Sequence, residues 1–253
     1  MFAEERIEKI IQILNENQKV VVKELSERFD VTEDCIRKDL KNLEKRGIIK
    51  RTYGGGVLNS KFAVHDDILR RVNINLEGKI KIAEKAFELI RSGETIFLDI
   101  SSINILIAEK IAKGNKKLLV ITNMIDIIRT FSKCDHVDVI GTGGAFNKEV
   151  NGFVGSSSIE CILKHKVNRA FIGSCGINMI DKSITTYDIE DGNTKKAIIS
   201  SGKKVYLVIE NKKFYYEATY KFAQICDVNA IIVDEAPDEK ICLELENMNV
   251  ELI

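Results

Sequence analysis

Four basic side chains recur at helical spacing between residues 37 and 45. Arg37, Lys38, Lys41 and Lys45 share one face of a segment whose other face is apolar. Residues 37 to 51 hold 7 basic and 2 acidic side chains, whereas residues 1 to 36 hold 5 basic and 9 acidic ones. Because the whole chain is neutral, with 38 basic and 38 acidic residues, this segment is a local positive stripe that suits phosphate oxygens.

Three predicted helices and a glycine turn position this stripe. The spacing of apolar residues predicts helices over residues 3–17, over residues 23–29, and from Glu33 to Gly47. Thr32 is placed to cap the third helix, and Ile36, Leu40 and Leu43 turn inward. Two short segments, Ile48-Ile-Lys-Arg51 and Val57-Leu58, flank glycines and predict a two-stranded wing. Residues 1–58 are therefore expected to form a winged helix-turn-helix.

In this fold the last helix enters the major groove of double-stranded DNA. We expect residues at its start to reach base edges and the later basic residues to bind phosphates. The residues predicted to contact DNA are Thr32, Glu33, Asp34, Arg37, Lys38, Lys41, Lys45, Lys50, Arg51 and Tyr53. A basic stripe alone also occurs on solvated helices of ordinary domains, but the capped start and the wing together favour a DNA-binding module.

Hydroxyl, amide and glycine residues follow three predicted strands in the second half of the chain. The strands 95–99, 118–122 and 137–141 are followed by Ser101-Ser102, Asn123 and Gly143-Gly144. The carboxyl ends of parallel strands meet at one sheet edge, where backbone amides favour an anion, and a lysine such as Lys213 supplies counter-charge. The predicted effector-binding residues are Asp99, Ser101, Ser102, Asn104, Thr122, Asn123, Gly143, Gly144 and Lys213. Glycines after strands are also ordinary turns.

Strands and amphipathic helices alternate from residue 75 to the end, which predicts an α/β domain with a parallel sheet covered on both faces. We expect the helix over 75–91 to turn Ile80, Ala83, Phe87 and Ile90 inward. The predicted organisation is residues 1–58 for DNA binding, 59–74 as an irregular linker, and 75–253 as the α/β domain that holds the anion site.

Several motifs resemble the DeoR family of bacterial transcription regulators. They include Val31-Thr-Glu-Asp-Cys-Ile-Arg-Lys-Asp-Leu40, Arg51-Thr-Tyr-Gly-Gly-Gly56, Gly93-Glu-Thr-Ile-Phe-Leu-Asp99 and Phe171-Ile-Gly-Ser-Cys-Gly176. The resemblance implies a winged helix followed by a Rossmann-like sensor domain related in fold to ribose-5-phosphate isomerase. It also implies a repressor of sugar or polyol uptake and catabolism that responds to a phosphorylated sugar or polyol.

Three positions depart from the family pattern in the sensor domain. Ser101-Ser102-Ile103 stands where a Gly-Thr-Thr run is usual, Asn147 stands where an arginine is common, and Asp191-Gly192 replaces a Glu-Ala pair. These differences leave open an unusual ligand, weak binding or a vestigial site.

Two other function classes are compatible with parts of the sequence. An isomerase-like enzyme would use Asp99, Asp188, Glu190 and Lys213, but their spacing does not specify a proton-transfer pair. A dinucleotide-sensing redox regulator would use Gly141-Thr-Gly-Gly144, but the fingerprint fails at its third glycine, where Phe146 stands. We therefore expect a regulator that is not an enzyme.

The composition of the chain bears on metal binding, membrane insertion and cellular location. The 6 cysteines have neither zinc-knuckle spacing nor the density of a disulfide scaffold, so no metal or cofactor is expected. The longest charge-free stretch is 170–180, which is too short to span a membrane, and the first residues do not read as a secretory signal. A cytoplasmic location is expected. A homo-oligomer is expected as well, because two half-sites strengthen DNA binding.

Overall fold

The computed structural model of the chain describes residues 3–17, 19–45, 48–58 and 68–253. The chain divides into two compact units, residues 1–66 and 67–253. Gly47, which was expected to end the third helix, and residues 59–67 of the expected linker lie outside the described residues.

The described residues of the first unit form three helices and three strands. They are α1 (Ala3–Asn17), β1 (Lys19–Val21), α2 (Val22–Phe29), α3 (Glu33–Lys45), β2 (Ile49–Thr52) and β3 (Gly55–Leu58). The strands form one antiparallel sheet in the order β1-β3-β2. The predicted two-stranded wing is confirmed, because β2 pairs with β3 across the glycine turn. Residues 19–21 pair with residues 55–57 and add a third strand, which was not predicted. The winged helix-turn-helix itself is confirmed.

An apolar core holds the three helices of this unit together. Ile10, Leu14, Ile36, Leu40 and Leu43 are fully buried, as the helical spacing predicted for α3. These side chains orient α3 so that its basic residues face outward.

The second unit is built on a parallel sheet of seven strands. Its strands are β4 (Thr95–Leu98), β5 (Leu118–Thr122), β6 (Val137–Gly141), β9 (Val167–Ile172), β12 (Gly202–Val208), β14 (Ala230–Ile232) and β15 (Glu251–Leu252). Their order across the sheet is β15-β14-β12-β9-β4-β5-β6. The carboxyl ends of β12, β9, β4 and β5 are therefore neighbours at one edge.

Seven helices accompany this sheet. They are α4 (Ile68–Asn73), α5 (Leu76–Leu89), α6 (Ser102–Lys113), α7 (Ile125–Phe131), α8 (Ser156–Leu163), α9 (Ile189–Ser201) and α10 (Glu239–Asn247). Two large apolar clusters accompany the sheet, and they share its strands: Ile96 and Leu98 belong to one, Phe97 to the other. Because side chains alternate along a strand, this division gives the sheet a core on each face and confirms the predicted α/β fold.

Five short strands lie outside the main sheet. They are β7 (Ala145–Asn147), β8 (Gly152–Val154), β10 (Gly176–Asn178), β11 (Ser183–Thr186) and β13 (Tyr220–Gln224). The first two form a hairpin, and the other three form a small antiparallel sheet in the order β10-β11-β13. The alternation of strands and helices did not predict them.

Two sequence expectations near residue 75 need correction. The expected irregular linker contains helix α4 over residues 68–73. On α5, Ile80 is exposed, whereas Lys79 is buried together with Ile82 and Ala83. Ala83 and Ile90 are buried and Phe87 packs against the core, as predicted. The errors are therefore confined to Ile80 and to Lys79, which has polar partners inside the unit.

Candidate DNA interface and candidate effector site

Helix α3 begins with a side-chain cap. The backbone N–H of Cys35 donates to Thr32 Oγ1 at 3.3 Å, which satisfies one of the free amides in the first turn. Lys38, Lys41 and Lys45 are exposed along the rest of the helix. The cap and the buried apolar residues therefore present a basic outer face.

Arg37 differs from these lysines because it forms two ion pairs on its own helix. Its Nη2 donates to Glu33 Oε2 at 2.7 Å, and its Nη1 donates to Asp34 Oδ1 at 2.9 Å. All three side chains are partly or largely exposed. The first turn of α3 thus combines one guanidinium with two carboxylates.

The turn between β2 and β3 carries the remaining predicted DNA contacts. Lys50, Arg51 and Tyr53 are exposed, and Gly54 adopts a φ of 82° that permits the tight turn. The Arg51 backbone N–H donates to Glu44 Oε1 at 3.2 Å, which connects the wing to α3.

Helix α3 also forms a buried ion pair with α1. Arg6 Nε donates to Asp39 Oδ2 at 2.6 Å, and Arg6 Nη2 donates to Asp39 Oδ1 at 3.2 Å. Because these two bonds form a fork, they fix both the position and the rotation of α3. The sequence analysis did not predict this contact.

The carboxyl edge of the large sheet holds a buried charge network. Asp99 follows β4, and its Oδ2 accepts from Lys195 Nζ at 2.5 Å and from the Gly173 backbone N–H at 3.1 Å. Lys195 also lies 3.1 Å from Asp191 Oδ1, and Asp191 Oδ2 accepts from Thr186 Oγ1 at 2.8 Å. One lysine on α9 therefore bridges two carboxylates.

Burial and the neighbouring opposite charges shift the pKa values of this network in opposite directions. Burial raises the pKa of Asp99 to about 6, although the Lys195 ammonium opposes the increase. Burial disfavours the charged form of Lys195, but the Asp191 and Asp99 carboxylates outweigh it and raise the pKa of Lys195. Lys195 is therefore a permanent cation, whereas Asp99 changes charge in mildly acidic solution.

A second charged group lies at the carboxyl end of β12. Lys79 donates to the Arg71 carbonyl and lies 3.9 Å from Glu210 Oε2. Burial lowers the pKa of Lys79 to about 8, and the cations of Lys212, Arg71 and Lys213 add to the decrease, while Glu210 opposes it. Burial also lowers the pKa of Lys213, against the effect of Cys175 and Glu210. Four cations are thus gathered around one carboxylate.

Several predicted effector residues have structural hydrogen bonds. The Thr122 hydroxyl donates to the Leu98 carbonyl at 2.6 Å, and Asn104 Nδ2 donates to the carbonyls of Asp99 and Phe171. Ser101, not Ser102, caps α6, because Ser101 Oγ accepts from the N–H groups of residues 103 and 104. Their assignment to a ligand stays a prediction.

The other predicted residues occupy neighbouring loops. Asn123 exchanges two hydrogen bonds with the backbone of Phe153, and so fastens the hairpin of β7 and β8 to β5. Gly143 and Gly144 have φ values of 63° and 115° just before this hairpin. Lys213 lies in a short 3-10 helix, Asn211–Tyr215, that follows β12. In the sheet, β9 lies between β12 and β4, so one strand separates Lys213 from the loop that follows β4.

Six buried side-chain nitrogen or oxygen atoms have no hydrogen-bond partner within the described residues. They are Asp99 Oδ1, Asn104 Oδ1, Asn123 Oδ1, Ser174 Oγ, Asn211 Oδ1 and Arg71 Nε. Five of them belong to residues at the carboxyl ends of β4, β5, β9 and β12, and the sixth belongs to Arg71, whose carbonyl accepts from Lys79. Buried polar atoms almost always have partners in protein groups or bound water, so these atoms are candidates for contact with a polar ligand.

Comparison with known families decides the identity of both units. The DeoR-like helix-turn-helix domain family matches residues 6–62, and the DeoR C terminal sensor domain family matches residues 74–235. The chain belongs to the DeoR family. This DeoR-family protein is a DNA-binding transcriptional regulator, as the sequence motifs predicted.

Relatives align with this DeoR-family regulator over nearly all of its length. It is 29% identical to the HTH-type transcriptional repressor GlcR of Bacillus subtilis, over 100% of this chain and 96% of that one. It is 28% identical to the glycerol-3-phosphate regulon repressor of Escherichia coli, over 96% and 95%. Among solved structures, ribose 5-phosphate isomerase A of Methanocaldococcus jannaschii is 12% identical, with a TM-score of 0.41, over 55% of this chain and 54% of that one.

Several charged residues of the candidate effector site were not predicted from the sequence. Lys79, Asp191, Lys195 and Glu210 were not predicted to bind an effector. A signal existed for Asp191 and Lys195, which are four residues apart and therefore share one helix face. No comparable signal placed Lys79 beside Glu210, because their contact depends on how α5 packs against the sheet.

Within the described residues, no group of three or more histidine, cysteine, aspartate or glutamate side chains is arranged to hold a metal ion. No helix in the described part of the chain combines the length and the apolar character needed to cross a membrane.

Proposed function

We propose that this regulator represses an operon for the uptake or catabolism of a sugar or polyol, and that a phosphorylated sugar or polyol changes its affinity for DNA. The observation that carries the proposal is the group of five unpartnered buried polar atoms at the carboxyl edge of the sheet, with a sixth on Arg71. A polyhydroxylated ligand offers both donors and acceptors to such atoms, whereas an apolar ligand does not.

The two charged groups suggest how such a ligand divides its contacts. Lys79 and Lys213 have pKa values lowered by burial, so a phosphate dianion beside them would favour their charged forms and gain charge-assisted hydrogen bonds. Asp99 and Lys195 are suited to hydroxyl groups, because each has hydrogen-bonding capacity toward a neutral donor or acceptor. We assign the phosphate to the lysines and the hydroxyls to the Asp99 loop.

Binding of an effector, not catalysis, is the role that we assign to this edge. Lys195 and the Gly173 N–H both hold Asp99 Oδ2, so we assign Asp99 to fixing the loops at this edge and to accepting a ligand hydroxyl at Oδ1. The names of the relatives point in the same direction, since both GlcR and the glycerol-3-phosphate regulon repressor are named as repressors.

Thermal unfolding with a panel of ligands tests the proposal. The panel contains glycerol 3-phosphate, hexose phosphates, pentose phosphates and the same compounds without phosphate. A ligand at 100 times its Kd stabilises the folded chain by about 2.7 kcal/mol, which raises the Tm by several degrees. We expect a shift with at least one phosphorylated compound and none with its unphosphorylated form.

Matched variants assign the shift to the site. Lys213→Ala should abolish the shift, whereas Lys196→Ala, which removes an exposed lysine from α9, should preserve it. Neither variant changes the winged helix, so both should bind DNA normally without ligand. If no phosphorylated compound shifts the Tm or changes DNA affinity, the effector site is vestigial and the proposal is wrong.

We also propose that the regulator acts as a homo-oligomer. A single winged helix contacts one half-site, whereas two linked copies gain effective concentration at the second half-site. Sedimentation at micromolar concentration should show at least a dimer, and a monomer that retains full DNA affinity would contradict this.

A further inference from the structure

The recognition helix α3 changes charge along its length. Its first turn holds Glu33, Asp34 and Arg37, which together carry a net charge of −1. Lys38, Lys41 and Lys45 follow, and within the described residues none of these three lysines forms an ion pair with a carboxylate. Of the four cations on this helix, Arg37 is therefore the one that acidic side chains of the described residues hold.

This distribution separates two kinds of DNA contact. A phosphate that approaches the first turn meets two carboxylates for one guanidinium, so the net interaction is repulsive, whereas the free lysines attract phosphates. Base edges in the major groove carry no net charge. The guanidinium has five N–H donors and uses two of them on the carboxylates, so others are available for the N7 and O6 atoms of a guanine.

We propose that Glu33 and Asp34 are specificity-determining residues: they keep Arg37 away from the phosphate backbone and orient it toward a guanine edge. The proposal rests on the assignment of α3 as the helix that enters the major groove. The two carboxylates lower affinity for DNA of any sequence, and they lower it less for an operator whose guanine Arg37 can reach. Glu33 and Asp34 therefore increase specificity, which is the ratio of affinity for the operator to affinity for other DNA.

An ordinary helix-stabilising role gives a different result. Carboxylates in a first turn favour the helix dipole, and pairs three or four residues apart stabilise a helix slightly. If this were their entire role, removing them would change the Tm and leave the ratio of affinities unchanged. The ratio therefore distinguishes the two roles.

The experiment uses the full chain with Glu33→Gln, Asp34→Asn and the double variant, which remove charge and keep side-chain shape. Selection from random duplexes identifies the operator, and fluorescence anisotropy then measures the Kd for the operator and for a scrambled duplex. Glu5→Gln is the matched control, because Glu5 forms the same kind of pair with Lys9 on α1, at 3.3 Å and with both side chains 52% exposed.

Each α3 variant should bind the scrambled duplex about three- to tenfold more tightly, because the substitution removes negative charge that repels the DNA phosphates. Operator binding should change less, so the specificity ratio should fall. Single base-pair changes in the operator, compared between the wild-type chain and Arg37→Ala, identify the base pair that Arg37 reads. The α3 variants should discriminate less at that base pair. Glu5→Gln should leave the ratio as it is.

Two results would overturn the inference in different ways. If the wild-type chain selects an operator but the α3 variants change both affinities equally, Glu33 and Asp34 have only a structural role. If the wild-type chain selects no sequence at all, the proposed placement of α3 is wrong, and this inference fails with it.

Discussion

Breaking the buried ion pair between α1 and α3 should unfold the DNA-binding unit while the sensor unit stays folded. In Asp39→Ala the Arg6 guanidinium loses both of its carboxylate bonds, at 2.6 and 3.2 Å. The two side chains are only 7% and 8% exposed, so water does not replace the lost partner. Removing one partner of such a pair costs about 3–5 kcal/mol.

This loss is large relative to the stability of a unit of this size. A folded domain gains roughly 0.05–0.15 kcal/mol per residue, which for a unit of this length is only about 3–9 kcal/mol. Asp39→Ala should therefore leave the winged helix largely unfolded at 37 °C and abolish DNA binding. Arg6→Met combined with Asp39→Leu should recover much of the stability, because an apolar pair needs no charged partner.

Calorimetry of the full chain measures the effect as the separation of two unfolding transitions. The low-temperature transition should move down in Asp39→Ala and return in the double variant, while the other transition stays in place. Glu5→Ala is the control, because it breaks an exposed pair of the same helix and should change little. A shift as small in Asp39→Ala as in Glu5→Ala would refute the reasoning from burial.

Three further predictions concern the effector site. The pKa of Lys79 is about 8 in the folded chain and about 10.5 when unfolded, so the free energy of unfolding should increase between these two pH values. Affinity for a phosphorylated ligand should decrease over the same range, because Lys79 loses its charge. Lys79→Met should remove both trends in pH titrations followed by thermal unfolding. The pKa of Asp99 is raised to about 6, so the wild-type chain should lose stability relative to Asp99→Asn as the pH increases from about 4 to 6, and an unchanged difference in Tm would contradict this. In Gly173→Ala the new Cβ would lie 2.7 Å from Ser101 Cβ, so ligand-induced Tm shifts should weaken while DNA affinity without ligand stays at the wild-type value.

The sequence by itself determined the local features of this protein. The cap at Thr32, the inward face of α3 and its basic outer face follow from spacings of three or four residues, which the helix geometry converts directly into faces. The alternation of apolar strands and helices determined the α/β class in the same way. These predictions were confirmed because each depends on residues that are near one another in the chain.

Only the tertiary structure decided which distant residues meet. Arg6 and Asp39 are 33 residues apart, and Asp99 and Lys195 are 96 apart, so no local period connects them. In α5 and at the residue after it, the spacing placed Ala83, Phe87 and Ile90 inward correctly and Ile80 wrongly. It also missed Lys79, which is buried with polar partners that hydrophobic spacing does not detect. The third strand of the wing sheet was missed because a strand of three residues, Lys19–Val21, forms only when β3 supplies its hydrogen-bond partners. Contacts that depend on strand order and on packing between elements belong to the fold as a whole, and they assemble the charged groups of the proposed effector site.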